Sequence, residues 1–217
     1  MQKHFTLIAL LLIVLTISIQ AASAQELSTI ELPAPNKTGG MPLMQALAER
    51  SSSRSFAPKE LSTETLSDLL WAAFGINRED GRRTAPSAMN WQEVDIYVAL
   101  KKGCYRYDAE THRLEPVVAK DLRALSGQQD YVGSAPLNLI YVADISKMSA
   151  DMDEATLVTI ANADTGFIGQ NVYLYCASEG LVTVVRGLID HEALRAELPL
   201  RPEQRIILAQ SIGYSGD

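Results

Sequence analysis

Two arginines with three serines between them are the most chemically pointed feature of the sequence: Arg50-Ser51-Ser52-Ser53-Arg54. Guanidinium groups offer planar, forked and permanently charged donors, and the hydroxyls add short donors between them. The segment can therefore jointly clasp a phosphate. An exposed polar loop would have the same composition, and the segment by itself leaves both readings open. The other chemistry-bearing residues are dispersed. His112 lies in a turn rich in Asp, Glu and Arg, and His191 opens a late helix after Asp190. Neither has a partner at metal-ligand spacing, so both are expected at the solvated surface and no metal site is expected. Carboxylates are plentiful, but their spacing singles out no acid–base couple. No Gly-x-Ser-x-Gly elbow, Walker loop or Gly-x-Gly-x-x-Gly run occurs, which argues against hydrolase, NTPase and Rossmann chemistry. Cys104 and Cys176 are expected to be two separate buried thiols.

The elements that must position these residues can be read in order. Pro42 to Arg50 predicts a short helix, with Pro42 suited to a first helical position, and this helix delivers the chain into the Arg/Ser segment. A second helix is marked by Ser62 as its cap, Glu64 in the first turn, the stripe Leu66, Leu69, Leu70 and Ala73, and Gly75 as its C-terminal cap. After a charged loop, Asn77 to Arg83, the alternation of Val94, Ile96, Val98 and Leu100 predicts a half-buried strand. Lys101-Lys102-Gly103 then turns the chain into a second strand around Cys104 to Tyr107. Leu137 to Ala143 predicts another strand. Asp153 to Glu179 predicts one long helix ending at Gly180, apolar on more than one face through Leu157, Ile160, Ala161, Phe167, Ile168, Val172, Leu174 and Tyr175. Such a helix has to be covered all round, in a domain centre or against a second chain. Leu181 to Val185 and Arg205 to Ile212 are the last two strands. The fold class expected is α+β: a mostly antiparallel central sheet flanked by helices.

The whole chain has 217 residues, 47% hydrophobic and 21% charged, the composition of an ordinary globular domain rather than a disordered segment. Nineteen basic against 26 acidic residues give a net charge of −7, which disfavours a nucleic-acid partner. Lys3 and His4 precede an apolar run, Phe5 to Ile19, and Ala22-Ser23-Ala24 has a small-x-small pattern. Residues 1–24 therefore read as a secretory signal peptide cut before Gln25. The run is interrupted by Thr6, Thr16 and Ser18 and falls short of the roughly 20 apolar residues of a spanning helix, so no stable membrane insertion is expected after cleavage. The expected location is periplasmic or secreted. Residues 25–41, with Pro33, Pro35, Gly39 and Gly40, read as an extended arm, and residues 42–217 as the domain proper.

Three further segments give the Arg/Ser motif a context. Arg82-Arg83-Thr84-Ala85-Pro86-Ser87-Ala88-Met89-Asn90 precedes the Val94 strand; the long helix carries Asp164-x-Gly166 and Gln170-Asn171; and Glu179-Gly180-Leu181-Val182-Thr183-Val184-Val185-Arg186-Gly187 follows it. In this order and spacing they resemble the nitroreductase family of flavin enzymes, with the closest likeness to the branch that includes oxidases of peptide-azoline biosynthesis. The likeness runs from about Met44 to Tyr214. It implies a homodimer with two flavin mononucleotide (FMN) sites at the subunit interface. By the family's pattern, Arg50, Ser52 and Arg54 are implied on the FMN phosphate, ribityl chain and pyrimidine edge. Ser51 stands where many members carry a second basic residue. Ser87 and Asn90 are implied as flavin contacts from the other subunit. Val184, Val185, Arg186 and Gly187 match the stretch under the isoalloxazine ring, with the Arg186 amide as the implied donor to flavin N5 and Gly187 beside it. Arg54 is the implied cation near N1 and O2, where charge accumulates on reduction.

The function this resemblance implies is an exported, FMN-dependent oxidoreductase exchanging hydride with a small planar acceptor such as a quinone or nitroaromatic. No protein nucleophile is expected, because the flavin carries the chemistry. The alternative is a protein of the same fold that binds flavin or another planar ligand with little turnover.

Overall fold

The computed structural model describes residues 26–217, so the expected signal peptide lies outside the described residues. The alternation at Val94–Leu100 (β2) does form a strand. It pairs with Gly103–Asp108 (β3) across the Lys101-Lys102 turn, and β3 pairs with Arg113–Val118 (β4). Ile30–Glu31 of the arm (β1) adds to the outer side of β4. On the other side of β2 come Leu137–Asp144 (β5), then Gln204–Gly213 (β7) and last Val182–Arg186 (β6). The order is β1-β4-β3-β2-β5-β7-β6, every pair antiparallel. β6 is therefore an edge strand.

The helices divide between the two faces. Thr63–Phe74 (α2) and Glu154–Ser178 (α3) pack on one face, where Leu69, Leu70, Val98, Leu139, Tyr141, Ile168, Val172, Cys176 and Ile212 share a core. His191–Glu197 (α4) and the one-turn helix Arg123–Ser126 cover the other, over Tyr97, Ala99, Cys104, Leu122, Ile140, Leu194 and Ala209. Leu43–Glu49 (α1) leans on α3 and buries only Ala46. Helix starts follow the capping signals: Ser62, Asp153 and Asp190 each accept a backbone N–H of the first turn. Gly75 ends α2 in an extended rather than left-handed conformation; a Cβ there would meet Trp71 at 2.4 Å, so space rather than φ demands the glycine.

Both cysteines are buried free thiols, as expected, and the fold explains why: Cys104 and Cys176 belong to the cores on opposite faces of the sheet. His112 departs from the surface reading. It is half-buried, with Ser67 Oγ at 2.7 Å from Nε2 and Tyr107 Oη at 2.9 Å from Nδ1. Burial lowers its pKa, so the ring is a neutral structural link between α2 and the β3–β4 hairpin.

Candidate functional site

α1 ends at Glu49, and the Arg/Ser segment then runs along the open side of β6. The Ser53 amide donates to the Thr183 carbonyl at 3.1 Å, so a segment near the start of the domain lines a strand near its end. The second tie is Tyr173, on α3. Its hydroxyl accepts the Val185 amide at 3.0 Å and lies 2.8 Å from Ser52 Oγ, and the Arg50 guanidinium stands over its ring, 5.2 Å from the centroid. Arg54 is exposed and has neither a side-chain hydrogen bond nor an ion pair among the described residues. Ser51 is exposed as well. The fold thus brings the segment that holds Arg50, Ser51, Ser52 and Arg54 alongside β6 at Thr183 and Val185, and neither arginine pairs with a carboxylate among the described residues.

The strand's alternation decides which amides face this side. In an antiparallel ladder successive residues turn their N–H and C=O groups alternately toward and away from the neighbouring strand. Thr183 and Val185 use theirs on the open side, so Val184 and Arg186 turn toward β7, where they pair with Ser211 and Ala209. The expectation that the Arg186 amide faces a ligand is therefore corrected: ladder parity points it into the sheet. The next open-side amide is that of Gly187, which is exposed just beyond the strand. The Arg186 side chain is equally committed. It is 4% exposed and donates to Ser126 O at 2.6 Å, Asn138 Oδ1 at 2.8 Å and Ser211 Oγ at 3.1 Å.

Ser87 and Asn90 are not brought to this cluster within one chain. Their loop is tied instead to Asp164, whose carboxylate accepts the Ala88 amide at 2.8 Å. Asp164 precedes Tyr173 by nine residues, roughly 14 Å along the helix. Met89, Asn90 and Gln92 all have positive φ (51°, 57° and 49°), a strained run for non-glycine residues. Buried groups hold it in place. Ser87 Oγ accepts the Gln92 amide at 2.9 Å and donates to Glu93 Oε2 at 3.0 Å. Glu93 is fully buried beside Asp164. Burial pushes its carboxyl pKa up, the Asp164 charge adds to the rise, and its second oxygen has no hydrogen-bond partner. Met89, at the tip, is 80% exposed.

Comparison with known proteins places the fold in a family. The nitroreductase family profile matches residues 47–214, spanning both the Arg/Ser segment and β6. The chain belongs to the nitroreductase family. A nitroreductase-like protein of Methanocaldococcus jannaschii is 29% identical over 169 residues, covering 73% of this chain and 85% of that protein. The crystal structure of a nitroreductase-like protein from Ralstonia eutropha is 45% identical with a TM-score of 0.83, covering 87% and 90% of the two chains. The Escherichia coli microcin synthetase complex McbBCD, solved with truncated pro-MccB17 bound, matches with a TM-score of 0.66 over 86% of this chain and 79% of that one. At 21% identity that neighbour speaks for the shared fold alone. This nitroreductase-family chain also carries site residues that spacing did not single out. Tyr173 reads as one more apolar residue of a long helix, though its phenolic handle is a signal that a buried partner exists. Glu93 is one of the many carboxylates whose spacing singles out no couple.

Proposed function

We propose that this nitroreductase-family chain is an exported FMN-dependent oxidoreductase that acts as a homodimer and exchanges hydride with a planar acceptor such as a quinone or nitroaromatic. The observation that carries the reading is the pair Arg50 and Arg54, without carboxylate partners, beside an edge strand whose next outward amide, at Gly187, is exposed. The donor set suits FMN: two guanidiniums and the hydroxyls of Ser51 and Ser52 for a phosphate and polyol, and a neutral peptide N–H for a ring nitrogen. Bound FMN would supply the hydride exchange. The residues of this chain would hold the phosphate and ribityl chain with Arg50 and Ser52, set the Arg54 cation at the pyrimidine edge, present the Gly187 amide to the ring and keep the underlying peptide rigid through Tyr173.

The dimer is supported by apolar side chains that the single chain leaves uncovered. Leu43, Met44 and Leu47 are exposed on α1, as are Phe167 on α3 and Met89 at the strained loop tip. A second copy laid on this face would cover them, and its Ser87–Asn90 loop would reach a site that its own chain cannot supply.

The test is a flavin extraction and spectrum of the purified protein, followed by titration with FMN, reduction by dithionite or NADPH, and reoxidation by menadione. Light scattering would give the mass. Uptake of about one FMN per chain with reversible bleaching supports the enzyme. Uptake without menadione-dependent turnover would favour the alternative, a flavin-binding protein of the same fold. Folded protein that takes up no FMN would overturn both.

A further inference from the structure

Arg186 presents a buried cation with no carboxylate paired to it among the described residues. Its guanidinium lies on the α4 side of the sheet, because Arg186 shares a face with its cross-strand partner Ala209 and so with Ile140. All three of its hydrogen bonds go to neutral oxygens, those of Ser126, Asn138 and Ser211, and its Nε has no partner. Gln129 Oε1, another neutral oxygen, is also buried without a partner, and both side chains crowd Gly127, where a Cβ would stand 2.0 Å from Arg186 Nη1 and 2.9 Å from Gln129 Oε1. The fold therefore reserves a glycine for this side chain. Burial lowers the guanidinium pKa to about 10, which leaves it charged at neutral pH. An isolated buried charge is costly, and apolar residues of similar volume would pack the same space without that cost.

We infer that Arg186 is an electrostatic tuning residue, whose uncompensated charge, fixed behind the peptide that leads to Gly187, raises the reduction potential of a flavin bound along the open side of β6. This rests on the flavin reading above. Transfer of a hydride from a donor adds two electrons and one proton to the oxidised ring, a net gain of one negative charge. A fixed positive charge in a poorly screened interior favours that product over the starting ring. The Arg186 guanidinium is buried under the sheet and spent on Ser126, Asn138 and Ser211, so it would act through the field.

The experiment is the midpoint potential of the FMN-loaded protein, measured by spectroelectrochemistry, alongside FMN dissociation constants for the oxidised form. Arg186→Met removes the charge. Gln129→Glu leaves the arginine in place and sets a carboxylate next to it, so it addresses the charge even if the methionine variant folds poorly. Arg186→Lys keeps the charge but loses the fork. Both Arg186→Met and Gln129→Glu are expected to weaken binding of reduced relative to oxidised FMN about tenfold, a drop of about 30 mV for a two-electron couple. Arg186→Lys should stay near the parent value. A residue that merely braces the Arg123–Ser126 turn would change thermal stability and leave the potential alone. FMN-loaded variants with unchanged potentials would overturn the inference by itself; parent protein that binds no FMN would overturn the flavin reading, and this inference with it.

Discussion

The Tyr173 hydroxyl accepts the Val185 amide at 3.0 Å, joining the C-terminal part of the longest helix to the edge strand β6. The same oxygen reaches Ser52 Oγ at 2.8 Å, so one phenol fixes the separation between the Arg/Ser segment and β6. Tyr173→Phe keeps the ring beneath Arg50 and removes only the oxygen, leaving a half-buried amide without its acceptor. The expected cost is about 1–2 kcal/mol in urea unfolding. FMN affinity should fall several-fold in fluorescence titration. Unchanged stability would mean that water replaces the phenol freely.

Arg54→Ala separates binding from folding. Arg54 is exposed and makes no side-chain hydrogen bond or ion pair among the described residues, so its removal should leave the melting temperature within about 1 °C of the parent, as for surface changes generally. FMN affinity should drop by tenfold or more, the scale of a lost charge-assisted bond. Equal affinity in parent and variant would show that Arg54 does not touch the cofactor.

Glu93 makes stability depend on pH in a defined direction. Burial, with Asp164 adjacent, raises its native pKa above the ordinary 4.5, so the folded protein holds this proton more tightly than the unfolded chain. That contribution is complete below about pH 4.5 and is lost as the pH rises through the native pKa. Glu93→Gln carries its hydrogens at every pH and should melt increasingly above the parent as the pH moves from 5 toward 8. Melting curves across that range would check it; a constant difference would show that Glu93 is ionised throughout.

The two thiols should be silent in the folded state. Burial pushes the pKa of Cys104 up to about 12 and that of Cys176 higher still, so neither supplies thiolate near neutrality. A chromogenic disulfide reagent should label both in denaturant and neither on the minutes scale without it. Oxidation of the native protein should produce no internal bridge, a result that non-reducing electrophoresis can read.

Much of the framework was legible because strong local signals agreed with the tertiary outcome. The capped helices Thr63–Phe74 and Glu154–Ser178 and the alternating strand Val94–Leu100 fall within a residue or two of their expected bounds. Arg113–Val118 went unread because Pro116 and two charges break its pattern; the fold tolerates the proline where the β3–β4 register shifts near Tyr105. Ile30–Glu31 is too short to announce itself. At the site, residue types located the segments but could not orient them. Whether the Arg186 or the Gly187 amide faces outward depends on ladder parity, which the pairing with β7 sets. The positive φ values at Met89, Asn90 and Gln92 likewise come from the buried Glu93 and Asp164 contacts rather than from any glycine.

A sheet that stops at β6 leaves a row of peptide groups looking for company, which in many proteins invites a foreign chain to dock or to aggregate. Here much of that row is hemmed from within, by the Ser53 backbone and one phenol. What stays open just past the strand is the exposed Gly187, whose single outward amide is too little to template another strand. The margin is thus closed by the chain's own residues, so protein without any flavin should stay clear on storage as the edge strand alone gives a neighbouring chain little to pair with.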